Sequence, residues 1–193
     1  MIKTGLLFGS FNPVHIGHIA IGEYMKEFEG MEEIWFIVSP QNPLKSPQHL
    51  ATPASRLQMA RLAIKNYPAF RVSDIEFSMP VPSYTVNTML RLSDDYPERD
   101  FHIIIGTDNI MSIRKWKGCR TLLNNYKFLI YPRPGTLNPE TDLFRKARLV
   151  KAPVIDISSS FIRRALLEGK STRSLVPAEA YDYILKNRLY SGK

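Results

Sequence analysis

The sequence predicts a doubly wound α/β fold, a mostly parallel sheet with helices on both faces. Two observations carry that expectation. The runs WFIV (35–38), HIII (102–105) and FLIY (128–131) are nearly continuous in apolar character. Such runs suit strands covered on both faces, as in a parallel sheet. They also alternate with stretches of helical pattern, which implies right-handed crossovers between parallel strands.

Taken in order, the first strand is expected at 5–8, where the apolar run Leu6-Leu7-Phe8 meets the turn residues Gly9 and Ser10. A helical pattern follows at 17–28, then the strand 33–38 and a second helix at 54–66. The third strand is expected at 70–77, and the helix at 85–92 is led in by proline and serine. The buried run FHIII forms a strand at 101–105, followed by a short helix at 108–113. Strands at 127–131 and 153–157 complete the sheet. Two helices close the chain: 160–168, amphipathic and stopped at Gly169, and 178–186. The proline-containing segments 39–53, 79–83 and 132–139 read as loops long enough to be functional.

The chain of 193 residues is expected to form one domain, 1–193, and 44% hydrophobic residues suffice for a real core. Its lone cysteine, Cys119, excludes a disulfide framework and suits a reducing, cytoplasmic setting. The N-terminus predicts no signal peptide, and no apolar run approaches the roughly 20 residues of a membrane span. A formal net charge of +8 asks for an anionic partner: nucleic acid, an acidic membrane or a small polyphosphate. The basic residues are spread out rather than clustered, which disfavours a nucleic-acid-binding module.

In a doubly wound sheet, ligands bind outside the carboxyl ends of the strands where the strand order reverses. With the common order 3-2-1-4-5, the loops after the first and fourth strands meet at that crevice. The first is GSFNPVHIGH, residues 9–18, and the other is GTDN, residues 106–109. Asn12-Pro13 is a turn signal. Gly17 lacks a side chain where a helix begins, so a phosphate could approach the backbone and the helix's free amides. His15 and His18, three apart, can face one side, where imidazolium groups bind phosphate oxygens. The same residues also read as a tight turn with capping or core histidines. A zinc site would need a third ligand, and His49, His102 and Cys119 show no matching spacing.

ISSSFIRR, residues 157–164, is a second anion cradle, with Ser158 or Ser159 as N-cap and Arg163 one turn in. Asp108 of GTDN either binds ribose hydroxyls or caps the next helix. Trp116 serves as core or as a stacking platform. PVPSYTVNTM, residues 80–89, places Tyr84 and Thr85 at a helix start whose amides suit a carboxylate. Lys45, in QNPLK, either reaches phosphates or is simply solvated.

Together these motifs resemble the nucleotidyltransferase superfamily with the H-x-G-H and I-S-S-T-x-I-R signatures. The first is His15-Ile16-Gly17-His18, and the second is ISSSFIR with Ser160 in place of threonine. PSYTV, GTDN followed by Trp116, and the ending LVPAEAYDYILKNRLY are most similar to the nicotinate mononucleotide adenylyltransferase branch. The chain departs from that pattern at Leu44, where the family has histidine, and at Asn87, often aspartate. It departs again at Thr107, where alanine is common, and in WKGCR, which lacks a following aromatic.

The resemblance implies a Rossmann-like nucleotidyltransferase fold, with residues 158–193 as a C-terminal helical part completing the ATP site. It implies adenylyl transfer from ATP to nicotinate mononucleotide, with Mg²⁺ carried mainly by the ATP phosphates and no dedicated metal ligands. His15, His18 and Arg163 would be catalytic. Gly9, Ser10, Phe11, Gly17, Lys45, Ser159 and Ser160 would join those three in binding ATP. Asn12, Tyr84, Thr85, Gly106, Asp108 and Trp116 would bind the mononucleotide. No nucleic-acid or membrane partner is implied, and a homo-oligomer is left open. The nearest alternative is a superfamily relative such as phosphopantetheine adenylyltransferase or a cytidylyltransferase.

Overall fold

A computed structural model describes residues 1–41, 50–136 and 146–191. The strands are β1 (Ile2–Gly9), β2 (Glu33–Val38), β3 (Phe70–Ser73), β4 (Arg99–Gly106), β5 (Lys127–Tyr131) and β6 (Ala147–Leu149). They pair in parallel in the order β3-β2-β1-β4-β5-β6. The reversal expected between the first and fourth strands is therefore present, with Leu6 opposite Ile103 and Leu7 opposite Ile104.

Successive side chains of a strand face opposite ways, and here both directions are buried. Leu7, Phe36, Ile104 and Leu129 face one core, while Leu6, Trp35, Ile37, Ile103 and Phe128 face the other. The first core is covered by α1 (Ile16–Glu29), α2 (Pro53–Ala63), α6 (Ser159–Leu167) and α7 (Ala178–Lys186). The second is covered by α3 (Thr85–Asp95), the region of α4 (Thr107–Ile110), and α5 (Cys119–Asn125). The helix ends follow from local chemistry. Thr52 caps α2 by accepting from the Ser55 amide at 3.1 Å, and Pro53 fills the first turn. Gly30 ends α1 in the left-handed conformation, φ 71°. No helix among the described residues is long and apolar enough to cross a membrane.

Three expectations need correction. The strand expected at 153–157 is irregular backbone, and the sixth strand is β6 instead. Pro153 has no N–H to give a ladder and Val154 is exposed, so nothing favours a central strand there. The third strand ends at Ser73, and Ile75–Ser78 turns into a 3₁₀ helix. The helix expected at 108–113 splits into α4 and a 3₁₀ turn at Ile113–Lys115. Helix α5 was not expected; it starts from Gly118, whose φ of 67° and close approach to Val86 admit no larger residue.

The ends of β1 and β2 are joined by a side chain with no signal in the sequence. Arg56 of α2 is fully buried. Its Nη1 donates to the Ser10 and Ser39 carbonyls, both at 2.7 Å, and its Nη2 to the Pro40 carbonyl at 2.7 Å. Its Nε donates to the Ala51 carbonyl at 3.1 Å. Replacing it strands these carbonyls in a dry interior, where each lost bond to a charged donor is costly. Arg56→Met is expected to lower stability by about 3–5 kcal/mol, read as a shift in the chemical denaturation midpoint. Arg56→Lys, which cannot fork to several acceptors, is expected to recover only a minor part.

Candidate active site

The loops after β1 and β4 open onto a cavity of about 590 Å³ at the carboxyl ends of the strands. Of the residues singled out in the sequence, all but Lys45 line it; Lys45 lies outside the described residues.

The loop 10–13 is held from several sides. Asn12–Pro13 is a cis peptide and Phe11 adopts φ 46°. Arg56 takes the Ser10 carbonyl, Arg163 Nη1 the Asn12 carbonyl at 2.8 Å, and Ser159 Oγ the Pro13 carbonyl at 2.8 Å. Asn12 Oδ1 accepts from the Ala51 amide at 3.0 Å and from the Tyr190 hydroxyl at 2.7 Å. The Asn12 carboxamide, expected to face the mononucleotide, is thus engaged in fixing the loop. Phe11, expected at ATP, is a core residue. Its ring packs on Phe36 and stands edge-on to His18, at centroid distances of 5.5 and 5.1 Å.

His15 and His18 bracket the first turn of α1, and their rings stack at 3.7 Å. The His15 amide donates to His18 Nδ1 at 3.1 Å, half of a reciprocal helix cap. A backbone amide can only donate, so Nδ1 accepts and the Nε2 of His18 carries the ring proton. His15 is only 4% exposed. Burial, reinforced by the positive charge of Arg133, holds its pKa down at about 4. His15 is therefore a neutral ring at neutral pH, not the imidazolium that the sequence suggested. The role given to Gly17 changes too. A Cβ there would stand 3.0 Å from His15 Nδ1 and 3.2 Å from Ile155, so the glycine makes room for the histidine ring.

ISSSFIRR behaves as a capped helix start, with Ser158 Oγ accepting from the Phe161 amide at 3.2 Å. Arg163 Nη2 donates to Ser160 Oγ at 3.3 Å. A guanidinium has five N–H donors, so these bonds leave Arg163 able to meet a ligand from the cavity wall.

Across the cavity, Tyr84 and Thr85 begin α3, and Trp116 stands near them. Lys117 Nζ lies 4.4 Å from the centre of the Tyr84 ring, which joins the two segments. The indole Nε1 of Trp116 is buried without a hydrogen-bond partner among the described residues. A Cβ at Gly106 would press on the Asp108 and Arg133 side chains, so the glycine lets both stand close to the end of β4.

Arg133 was missed in the sequence. Its amide donates to the buried Thr107 hydroxyl at 2.8 Å, fixing the turn after β5 to the end of β4. Its side chain lies 4.0 Å from the Asp108 carboxylate and donates to the Ile155 carbonyl at 3.4 Å. Position could have found it: the carboxyl end of the strand beside β4 is part of the same mouth. Glu76, buried in the cavity wall, was missed as well.

With this geometry in view, the chain matches the cytidylyltransferase-like family model over residues 6–165. A Bacteroides thetaiotaomicron protein named "Probable nicotinate-nucleotide adenylyltransferase" is 47% identical over 183 residues, covering 95% of this chain and 91% of that protein. A Cytophaga hutchinsonii protein of the same name is 45% identical over 191 residues, covering 99% and 100%. Among solved structures, Plasmodium falciparum nicotinic acid mononucleotide adenylyltransferase complexed with NaAD superposes with a TM-score of 0.85. That match is 24% identical and covers 98% of each chain, a likeness of fold.

The state of His15 has a measurable consequence. The folded protein refuses a proton that the unfolded chain accepts at its ordinary pKa of 6.5, so stability falls as pH drops from 6.5 to about 4. The full loss is about 3 kcal/mol. Denaturation midpoints measured across this window are expected to fall more steeply for the wild type than for His15→Gln. Parallel curves would contradict a buried neutral His15.

Proposed function

The chain belongs to the cytidylyltransferase-like family, and from that premise we propose that it transfers the adenylyl group of ATP to nicotinate mononucleotide, forming deamido-NAD and pyrophosphate. The observation that carries this reading is one crevice with chemically different halves. One half holds the start of α1, His18, Arg163 and Arg133; the other holds the start of α3, Tyr84 and Trp116. The first suits phosphates, and the second suits an aromatic ring bearing an acid. The relatives' names agree with that division.

The chemistry asks little of an acid or base. A phosphate oxygen of the mononucleotide attacks the α-phosphorus of ATP, and the bond from that phosphorus to the oxygen bridging the β-phosphate breaks. The nucleophile is already an anion, so no proton need be removed. The residues must hold two polyanions in line and stabilise charge on the α-phosphate and the leaving pyrophosphate. His18 donates its Nε2–H to the α-phosphate, while His15, neutral and stacked beneath, fixes the donor's direction. Arg163, Ser159 and Ser160 grip the outer phosphates, Lys45 is assigned to the same phosphates by the sequence pattern alone, and the amides at the start of α1 add donors. Gly9, Ser10 and Gly17 form the floor, and Arg133 supplies the positive charge that His15 does not.

Asp108, steadied by Arg133, accepts from ribose hydroxyls at Gly106. Tyr84, Thr85 and Trp116 enclose the pyridine ring, and the first amides of α3 meet its carboxylate. Among the described residues no group of three His, Cys, Asp or Glu side chains converges on a point. In the reading that the family resemblance implies, Mg²⁺ would arrive on the triphosphate and offset its charge. Residues 158–193 complete the ATP side by holding the 10–13 loop. A cytoplasmic setting and a net charge of +8 used on nucleotides rather than nucleic acid go with this reading.

Pyrophosphate release from ATP, measured against nicotinate mononucleotide, nicotinamide mononucleotide and phosphopantetheine, tests the reading. The nicotinate form is expected to give the highest kcat/KM, because a neutral amide gains little from helix-start amides; preference for phosphopantetheine would overturn it. His18→Ala is expected to lower kcat by about 10²–10³ while circular dichroism stays that of the wild type. Near-normal turnover would remove His18 from the phosphate site.

A further inference from the structure

Glu76 is a carboxyl that adenylyl transfer does not use, yet it is 1% exposed and lines the same cavity. It sits in the 3₁₀ turn after β3, where three elements meet. Thr88 of α3 donates its hydroxyl to Oε1 at 2.8 Å, and the same hydroxyl stands 3.4 Å from the Tyr84 carbonyl. The hydroxyls of Ser39, just past β2, and Ser83, just before α3, also face the carboxyl. Oε2 and the Ser83 hydroxyl are buried without a closed hydrogen bond among the described residues.

Burial raises the carboxyl's pKa, and the three hydroxyls oppose the rise. The charged groups around this corner are otherwise engaged. Arg56 donates to the Ser39 carbonyl, Asp74 pairs with Arg61 at 2.9 Å, and Lys117 lies over Tyr84.

The carboxyl accepts from Thr88 through Oε1, and the Ser39 and Ser83 hydroxyls face it from two other segments, so one side chain meets the end of β2 and the start of α3. Resting on the reading above, we propose that Glu76 is a positioning residue for acid selectivity. Bonded to Thr88 and packed between the Ser39 and Ser83 hydroxyls, it holds the start of α3 where its amides meet the acid group of the pyridine nucleotide.

The test uses the full chain and steady-state kinetics with nicotinate and nicotinamide mononucleotides from about pH 6 to pH 9. Glu76→Ala is expected to raise KM for the acid substrate by about tenfold or more, with kcat and KM for ATP little changed, so that the acid-to-amide ratio falls. Glu76→Gln, which keeps an oxygen to accept from Thr88, is expected to keep the wild-type KM and the wild-type acid-to-amide ratio.

Should Glu76→Ala fail to fold, Thr88→Val removes the hydroxyl that ties the carboxyl to α3 and is expected to shift KM in the same selective direction. An unchanged acid-to-amide ratio in Glu76→Ala, or in Thr88→Val where that stands in, would overturn the proposal. So would a Glu76→Gln variant as impaired as Glu76→Ala. A wild-type chain that does not use nicotinate mononucleotide at all would instead sink the functional reading.

Discussion

Arg56 collects four backbone carbonyls from the ends of two adjacent strands and the segment leading into α2. In a parallel sheet the strands finish together, and their last carbonyls crowd the edge where the ligand crevice must open. Those oxygens are poor company for polyphosphates and cannot be left dry without cost. A guanidinium solves both problems, since its fork reaches several acceptors and its charge opposes theirs. The loop after β1 can then turn sharply, which places the two histidines at the mouth.

The rest of the site is built against that fixed loop. Arg163 and Ser159 take its Asn12 and Pro13 carbonyls, so the segment that looks like a phosphate grip is equally a clamp on that loop. The charge is distributed differently from the residue types. Two histidines suggest two cations, yet His15 is buried and stays neutral. On the phosphate side Arg163 and Arg133 carry positive charge at any relevant pH, while the histidine pair supplies direction. The His15 amide fixes the ring nitrogen from which His18 donates.

Much of this was legible in the sequence because parallel strands, short turns and helix starts leave local signatures. WFIV, HIII and FLIY gave three strands, and the reversal between the first and fourth strands located the crevice. What escaped depends on contacts between distant segments. Arg56 lies in an ordinary helix start, and nothing local marks its four acceptors. Glu76 looks like any surface glutamate until β2, the 3₁₀ turn and α3 close over it. The protonation of His15 and the purpose of Gly17 follow from burial and from Ile155, which lies 138 positions further on. Residues 153–157 misled because their apolar content resembles a strand, whereas the proline and the exposure of Val154 suit the crevice rim.

The bond from Tyr190 to Asn12 spans 178 positions, among the longest separations in the molecule. Closing a loop of that length costs chain entropy, which the bond repays only together with the packing around it. The floor of the crevice therefore depends on a segment at the periphery. Fraying of the stretch after α7 would remove one of the two bonds to Asn12 Oδ1 while leaving the strand ladder intact. Catalytic competence in such a molecule is lost at a lower threshold than secondary structure. Warming should silence it before it melts it.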